Sequence, residues 1–565
     1  MIKTQGSGIR GQGPANFRWA KPLHLVEALV GVVFLFACCA AAQDGSAASG
    51  GDPVLSAMIE EIARSKASLR MDRVPPPYYI EYSVTDHDEY TAEAGFGALK
   101  DEQRTRRRVL CAVVRIGDYR RDSYVGRGVV EAMPLDDDPI ALRHQLWLAT
   151  DGAYKAAAET LAAKASLLKE FPRDDPVDDF AREPVLRQID PLARLDFDVE
   201  RWRKTLELSS RLDRNSDEVL ALETAARFSA VNRYFVNSEG TVTRNGQSRY
   251  LLSIDATAQA ADDMMLHRSP AVLADSQNGL PSTEQFAAQA KAVVNSLKAL
   301  CQAQPIHGEY RGPVLFLPDA SNDIFAELLA NDVLGQQPEP GDSNHTSGAY
   351  AGSFKTQVLP DFLTVVDDPT AAKFEGSWLA GSYSVDDEGV KAGPVTVVEN
   401  GKLINYLVGR SPIPDFPVSN GRGRRFTDGP AAPASSNLFV RSSIASSRED
   451  LKKKMLELCR ERNLEYGYVV ETLGGIDSPR LIYRLYTDDG RQELVRGTAL
   501  DQIDARALRD IAAVGNDLTV SNRPETLRSS VTCPSVLFRE LVVRPAGEAK
   551  SHPPDYPPPR SGRTN

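Results

Sequence analysis

The sequence predicts an α+β fold, with helices and strands mixed in its first half and a β-rich second half. Three observations predict it. Helical and strand patterns follow one another without the strict strand-helix-strand order of a parallel sheet. Beyond residue 305 the chain carries repeated β-prone runs interrupted by one well-marked helix. Asn400-Gly401 sits between the β-prone runs 395–398 and 403–407, which is the strongest short-range hairpin signal.

The elements follow in order. Lys3, Arg10, Arg18 and Lys21 precede an apolar stretch, 28–39, and then Ala40-Ala41-Ala42. This reads as a secretory signal peptide over 1–42, and so as an exported protein, periplasmic or extracellular. Lipid on Cys38 is the second reading and an uncleaved anchor the third. Leu55, Ile59, Ile62 and Ala63 recur at helical spacing in 54–69, and Pro75-Pro76-Pro77 ends any helix there. Strands are expected at 78–84 and 108–116. Asp136-Asp137-Asp138-Pro139 opens a long alanine- and leucine-rich helix over 140–169. A helix at 202–212, strands at 219–236 and 250–256 with a turn at Asn237-Ser238-Glu239-Gly240 between them, and a helix at 283–302 complete the first half.

In the second half, strands are expected at 314–317, 363–366, 467–471, 481–485, 493–496 and 536–543, besides the hairpin. Ser446-x-x-Glu449 is a capping box at the entrance of a helix over 451–462, and a shorter helix is expected at 505–513. Domain organisation follows: signal peptide 1–42, N-terminal α+β domain 53–235, central region 236–305, β-rich domain 306–545, and a proline-rich tail, 546–565, too poor in apolar residues to order itself.

Composition narrows the function. A chain of 565 residues with 25% charged residues and a net charge of -11 is a mildly acidic globular protein, without the concentrated basic face of a nucleic-acid binder. The basic runs 106–108 and 422–425 read as solvated faces or carboxylate clamps. Cys111, Cys301, Cys459 and Cys533 are too widely spaced for a dense disulfide framework, and no Cys-x-x-Cys occurs. Cys459 shares a helical apolar face with Leu451, Met455 and Leu458, which places it in a core. No two of His87, His144, His267, His307, His345 and His552 stand at ligand spacing. Asp386-Asp387-Glu388 runs into Gly389, and mutual repulsion of three carboxylates argues for an exposed tight turn.

The stretch 375–410, with Asp386-Asp387-Glu388-Gly389-Val390, a β-run, Glu399-Asn400-Gly401 and a second β-run, resembles the TldD/PmbA family of metallopeptidase-related proteins. Gly312-Pro313-Val314, Asn420-Gly421-Arg422-Gly423-Arg424-Arg425, Gly497-Thr498-Ala499-Leu500 and Val514-Gly515-Asn516-Asp517-Leu518 agree in order. The resemblance covers roughly 230–545 and implies a TldD/PmbA-like fold. It also implies homodimers, or heterodimers in which a metal-free subunit pairs with an active relative.

In catalytic members a His-Glu-x-x-x-His helix and a cysteine near the C-terminus hold zinc. Histidines five apart are separated by about 140° on an ideal helix, so sharing one ion requires a π-type widening. The corresponding segment here is Ala326-Glu327-Leu328-Leu329-Ala330-Asn331. Ala326 and Asn331 fill both histidine positions, and only Glu327 matches. The cysteine position is unfilled as well: 521–530 has none, and Cys533 reads as a packing residue.

No cofactor and no metal ligands are therefore expected, and the resemblance implies an inactive relative that binds unfolded peptide or partners an active one. Asp386, Asp387 and Glu388, with Arg422, Arg424 and Arg425, are candidate peptide contacts, the arginines for a carboxylate. The alternative is a peptidase with a metal site rebuilt from Glu327 and His345; a purely structural envelope protein is a third reading.

Overall fold

The computed structural model describes residues 51–170, 177–212, 218–338, 346–501, 503–523 and 529–547. The expected signal peptide and nearly all of the proline-rich tail lie outside them. Among the described residues no helix is long and apolar enough to cross a membrane.

The first half is built on four long antiparallel strands, β1 (Pro77–Gly95), β2 (Ala98–Ile116), β3 (Val219–Asn237) and β4 (Val242–Gln259), in the order β2-β1-β3-β4. Their alternation sets the two faces of the sheet. Tyr82, Val84, Tyr234 and Val236 point to one face, where helices α1 (Pro53–Ser68) and α2 (Pro139–Glu170) cover them. Asp52 caps α1 by accepting from Leu55 N at 3.0 Å, and also pairs with Arg244 of β4 at 2.6 Å. Toward the other end of the strands, α3 (Val199–Ser209) and α4 (Thr283–Gln302) pack Trp202, Phe286, Val293 and Leu297 on Phe228, Tyr250 and Leu252. β3 matches the run expected at 219–236, whereas β1, β2 and β4 are far longer than the 78–84, 108–116 and 250–256 runs expected. Their outer ends are polar pairs across neighbouring strands, which an apolar-run criterion passes over. The boundary expected after residue 235 falls inside the β3–β4 hairpin.

The second half holds a mixed sheet and a smaller one. The first is ordered Thr498–Asp501, Val536–Pro545, Tyr310–Phe316, Tyr466–Leu473, Pro479–Tyr486, Gln492–Arg496. The second is ordered Lys402–Leu403, Val395–Glu399, Leu363–Asp367, Asn437–Ser442, Ser530–Cys533, Thr519–Asn522. Their inner faces share one core with Phe316, Val365, Val398, Val440, Val470 and Phe538. Asn400 and Gly401 both take positive φ, 46° and 77°, as a two-residue hairpin turn requires. Only Lys402–Leu403 returns along that hairpin; Leu407–Val408 pairs with Leu334–Gly335 instead.

Two expectations are corrected. Helix α6 (Arg448–Glu461) is capped by Ser447, whose hydroxyl accepts from Asp450 N at 3.1 Å, one residue later than the expected box; Ser446 N is bonded to Val514 O. The segment 505–513 is a 3₁₀ turn, Ala507–Asp510, followed by a strand, Ile511–Val514, on Val536–Pro545. All four strand residues are buried, so tertiary pairing overrides the helical propensity of its alanines. Cys459 and Cys533 are both buried. The described residues form one unit, joined in part by Leu481 of the second half within the α3–α4 core and by Arg496, which pairs with Asp262 at 2.9 Å.

Candidate functional site

Helix α5 (Pro318–Phe325) starts on proline, which suits a first helical turn. It then widens into a π-turn, Ala326–Ala330, closed by Asn331 N on Ala326 O at 3.3 Å. The backbone thus has the widening at the place where catalytic relatives need it. Its side chains do not follow. Ala326 is buried and carries no donor atom, and the Asn331 amide donates to Glu327 Oε2 at 3.5 Å.

A cation already sits against Glu327. Arg523 directs Nη2 to Glu327 Oε1 at 2.8 Å and Nη1 to Asp323 Oδ1 at 2.5 Å. Asp319, Asp323 and Glu327 recur every four residues and share a face. Burial pushes the Asp323 carboxyl up to about 6 against the pull of Arg523, with Asp319 and Glu327 adding to the rise. Burial, and then Glu471, raise Asp319 as well. Arg523 leaves the strand Thr519–Asn522, in the segment where the family pattern would supply its cysteine. The Asn522 amide fixes this strand's end by bonding Trp378 O and Ala380 N, both at 2.9 Å. The residues present do not fit the zinc ion of the family pattern: Ala326 has no donor atom, Asn331 offers an amide in place of an imidazole, and a guanidinium engages the remaining carboxylate. Among the described residues no group of three or more His, Cys, Asp or Glu is arranged to hold a metal. Glu327 belongs to the alternative metal site too, but His345 lies outside the described residues. Cys533 is held in the core with its thiol pushed well up by burial.

The acidic turn is not exposed, which corrects the sequence reading. Asp386 and Asp387 are 1% and 6% exposed, and repulsion does not expel them because each carboxylate has its own donors. Asp386 accepts from the backbone N–H groups of Glu388, Val390 and Gly423 at 2.8–3.0 Å. Asp387 accepts from Arg424 Nε at 3.1 Å and Arg425 N at 2.9 Å. Glu388 accepts from Arg410 N at 2.7 Å. A Cβ on Gly423 would meet Glu388 Oε2 at 2.0 Å and Cγ at 2.7 Å, so the missing side chain makes room for the Glu388 carboxylate against this backbone.

The expected arginine contacts are likewise internal. Arg422 and Asp367 pair at 2.7 Å with both side chains 0% exposed, and Arg425 reaches Glu81 of β1 at 3.2 Å. Arg410 pairs with Glu239 of the Asn237–Gly240 turn at 2.8 Å. Arg425 and Arg410 therefore tie the second half to the first, while Arg422 is bound within the second half; of the two sequence readings of the run 422–425, these contacts are those of carboxylate clamps. Arg424 alone of the three expected arginine contacts also lines a sizeable cavity, of about 280 Å³, between the halves. Arg523 was not foreseen; the available signal was a cation within a segment expected to furnish a metal ligand.

Residues 308–545 match the model of the PmbA/TldA metallopeptidase C-terminal domain. Two metalloproteases are similar in sequence. The one from Archaeoglobus fulgidus is 24% identical over 198 residues, 35% of this chain and 41% of that protein. The one from Methanothermobacter thermautotrophicus is 25% identical over 180 residues, 31% of this chain and 36% of that protein. The match thus spans less than half the length of either relative. TldE from Thermococcus kodakarensis shares the fold, with a TM-score of 0.57 at 14% identity, over 87% of this chain and all of that one.

Proposed function

Because residues 308–545 match the PmbA/TldA metallopeptidase C-terminal domain, we propose that this chain is a non-catalytic member of the TldD/PmbA family that binds unfolded peptide, alone or as the metal-free partner of an active relative. The observation that carries this reading is Arg523 on Glu327. In a metallopeptidase of this type the glutamate accepts a proton from metal-bound water; here its carboxylate is matched by a guanidinium instead. The two neighbouring ligand positions, Ala326 and Asn331, offer no imidazole. Peptide binding draws support from the strand Thr519–Asn522, which lies at the edge of its sheet and ends on Arg523. An extended peptide adding to that edge would run past α5.

The test is zinc analysis of protein purified without chelator, together with cleavage and binding assays on an unstructured peptide. Binding without cleavage and with zinc at background is the expected result. Stoichiometric zinc that disappears in Glu327→Ala or His345→Ala, with cleavage, would replace this reading by an active enzyme. Failure to bind peptide would leave a structural role.

A further inference from the structure

Strand β4 forms one side of the first-half sheet, and its outer edge is covered in pieces. Arg187–Ile189 pairs with residues 242–244, Ala271–Ala274 with 250–253 and Met265–Arg268 with 256–259. Among the described residues no strand covers 245–249. On β4 the even-numbered residues turn their main-chain groups outward: Val242 N donates to Leu186 O, Asp190 N to Arg244 O, and Ile254 N to Pro270 O. By the same two-residue period Gly246 and Ser248 point N–H and C=O away from β3. These outward groups meet no partner among the described residues.

The gap opens into a cleft. Gly246, Gln247 and Ser248 line it with Leu192, Asp275 and Trp378, and its volume of about 380 Å³ falls in the range of ligand sites, roughly 300–1,000 Å³. Gly246 has no side chain, so its main chain is what faces this cleft and the adjoining cavity of about 280 Å³. The two faces beside the gap differ. On one, the segment 190–194 is tied to β4 by Arg244 Nε on Asp190 O at 2.9 Å and Ser248 Oγ on Arg194 O at 3.2 Å. A Cβ on Gly246 would meet Ala193 N at 2.4 Å, so the missing side chain makes room for this segment. On the other, Asn245 and Gln247 share the smaller cavity with Trp378 and Tyr383 of the second half.

An uncovered strip of main chain at a sheet edge is a template for a further strand. An extended segment of about three residues would pair with Gly246 and Ser248, its side chains alternating between the Trp378 face and the Leu192 face. The larger cleft carries Asp190 and Asp275 with no lysine or arginine in its walls. Asp190 accepts from the Gln188 amide and Asp275 from the Ser276 hydroxyl, both neutral donors. Their charge favours a cationic side chain on the occupant.

We infer that residues 245–249 of β4 seat an extended peptide by main-chain pairing, with a preference for apolar and basic side chains. Such a seat rests on the reading of the chain as a peptide binder, and it lies on a different sheet from the edge strand Thr519–Asn522.

The experiment is a fluorescence-anisotropy titration of the full chain with a labelled unstructured peptide of leucine, phenylalanine and lysine, and with the same peptide carrying glutamate for lysine. Wild type is expected to bind the basic peptide saturably and the acidic one about ten-fold more weakly. Ser248→Pro removes an outward N–H without breaking a bond to β3, and should weaken binding about ten-fold or more. Ser248→Ala, which loses the hydroxyl but keeps the N–H, should weaken it less. Arg104→Pro, on the exposed β2 away from the cleft, should leave it unchanged. In wild type the basic peptide should also slow hydrogen–deuterium exchange at the Gly246 and Ser248 amides, a readout that stands even if Ser248→Pro fails to fold. Binding that Ser248→Pro leaves intact, that gives these amides no protection, or that is lost in Val520→Pro instead, overturns the assignment and leaves peptide binding itself standing. Equal affinity for the two peptides overturns the preference for basic side chains. No binding of either peptide by wild type overturns the seat and the peptide-binding reading together.

Discussion

Arg523 and Arg249 are both partly buried arginines, yet their surroundings have opposite balance. Around α5 burial, with Asp319 and Glu327 adding to it, holds the Asp323 carboxyl up near 6 even with Arg523 on it. On the β3–β4 face, burial first and then Arg424 and Arg249 hold Arg233 down near 10 against the pull of Asp387. Arg523 places two nitrogens on two carboxylates; Arg249 leaves two nitrogens with none. A cation matched within the chain supports the fold. An unmatched one costs stability.

The sharpest contrast comes from replacing matched and unmatched arginines in turn. Arg422 gives Nε to Asp367 Oδ1, Nη1 to Asn420 O and Nη2 to Asp367 O and Gly393 O. Removing it strands a fully buried carboxylate, so Arg422→Met is expected to cost about 3–5 kcal/mol in urea unfolding. A loss comparable to that of an exposed residue would break the distinction. Arg523→Ala should cost less, about 1 kcal/mol, because Glu327 and Asp323 keep 42% and 34% of their side-chain surface in water. The same variant should raise the Asp323 titration above its present position near 6, read by carbon-13 NMR of the carboxyl. A lowered value would mean that Arg523 does not act on it.

The architecture was legible where local chemistry and burial agree. The 283–302 helix emerges with its expected limits as α4, and Asn400-Gly401 forms the expected turn. The candidate site was legible by subtraction, since Ala326 and Asn331 stand in the sequence for anyone comparing them with the family pattern. What could not be read was partnership across distance. Nothing local to Asp386-Asp387-Glu388 announces the backbone donors of Gly423 and Arg410 that allow its burial, and Arg523 and Glu327 are separated by 196 positions. A run of like charges looks repulsive in one dimension; in three, each member faces a different donor. The unmatched donors of Arg249 are invisible for the same reason, because a missing partner is defined only after every neighbour is placed.

The smallest expected effect concerns pH. Burial sets the Asp323 carboxyl above its ordinary 3.8, at about 6, so the folded chain holds this proton more tightly than the unfolded chain does. Its contribution to stability is therefore full below about pH 4 and is lost as pH rises through about 6. Other carboxyls titrate in the same window: burial and Glu388 raise Asp386, and burial raises Glu388. The informative quantity is thus the difference between wild type and Asp323→Asn in unfolding free energy across that interval. With a third of the side chain in water, that difference should amount to less than about 1 kcal/mol, with the wild type losing stability relative to the variant as pH rises. The reverse sign would mean that Arg523 outweighs burial at Asp323, making the α5 site as cation-rich as the β3–β4 face and removing the opposition between the two regions.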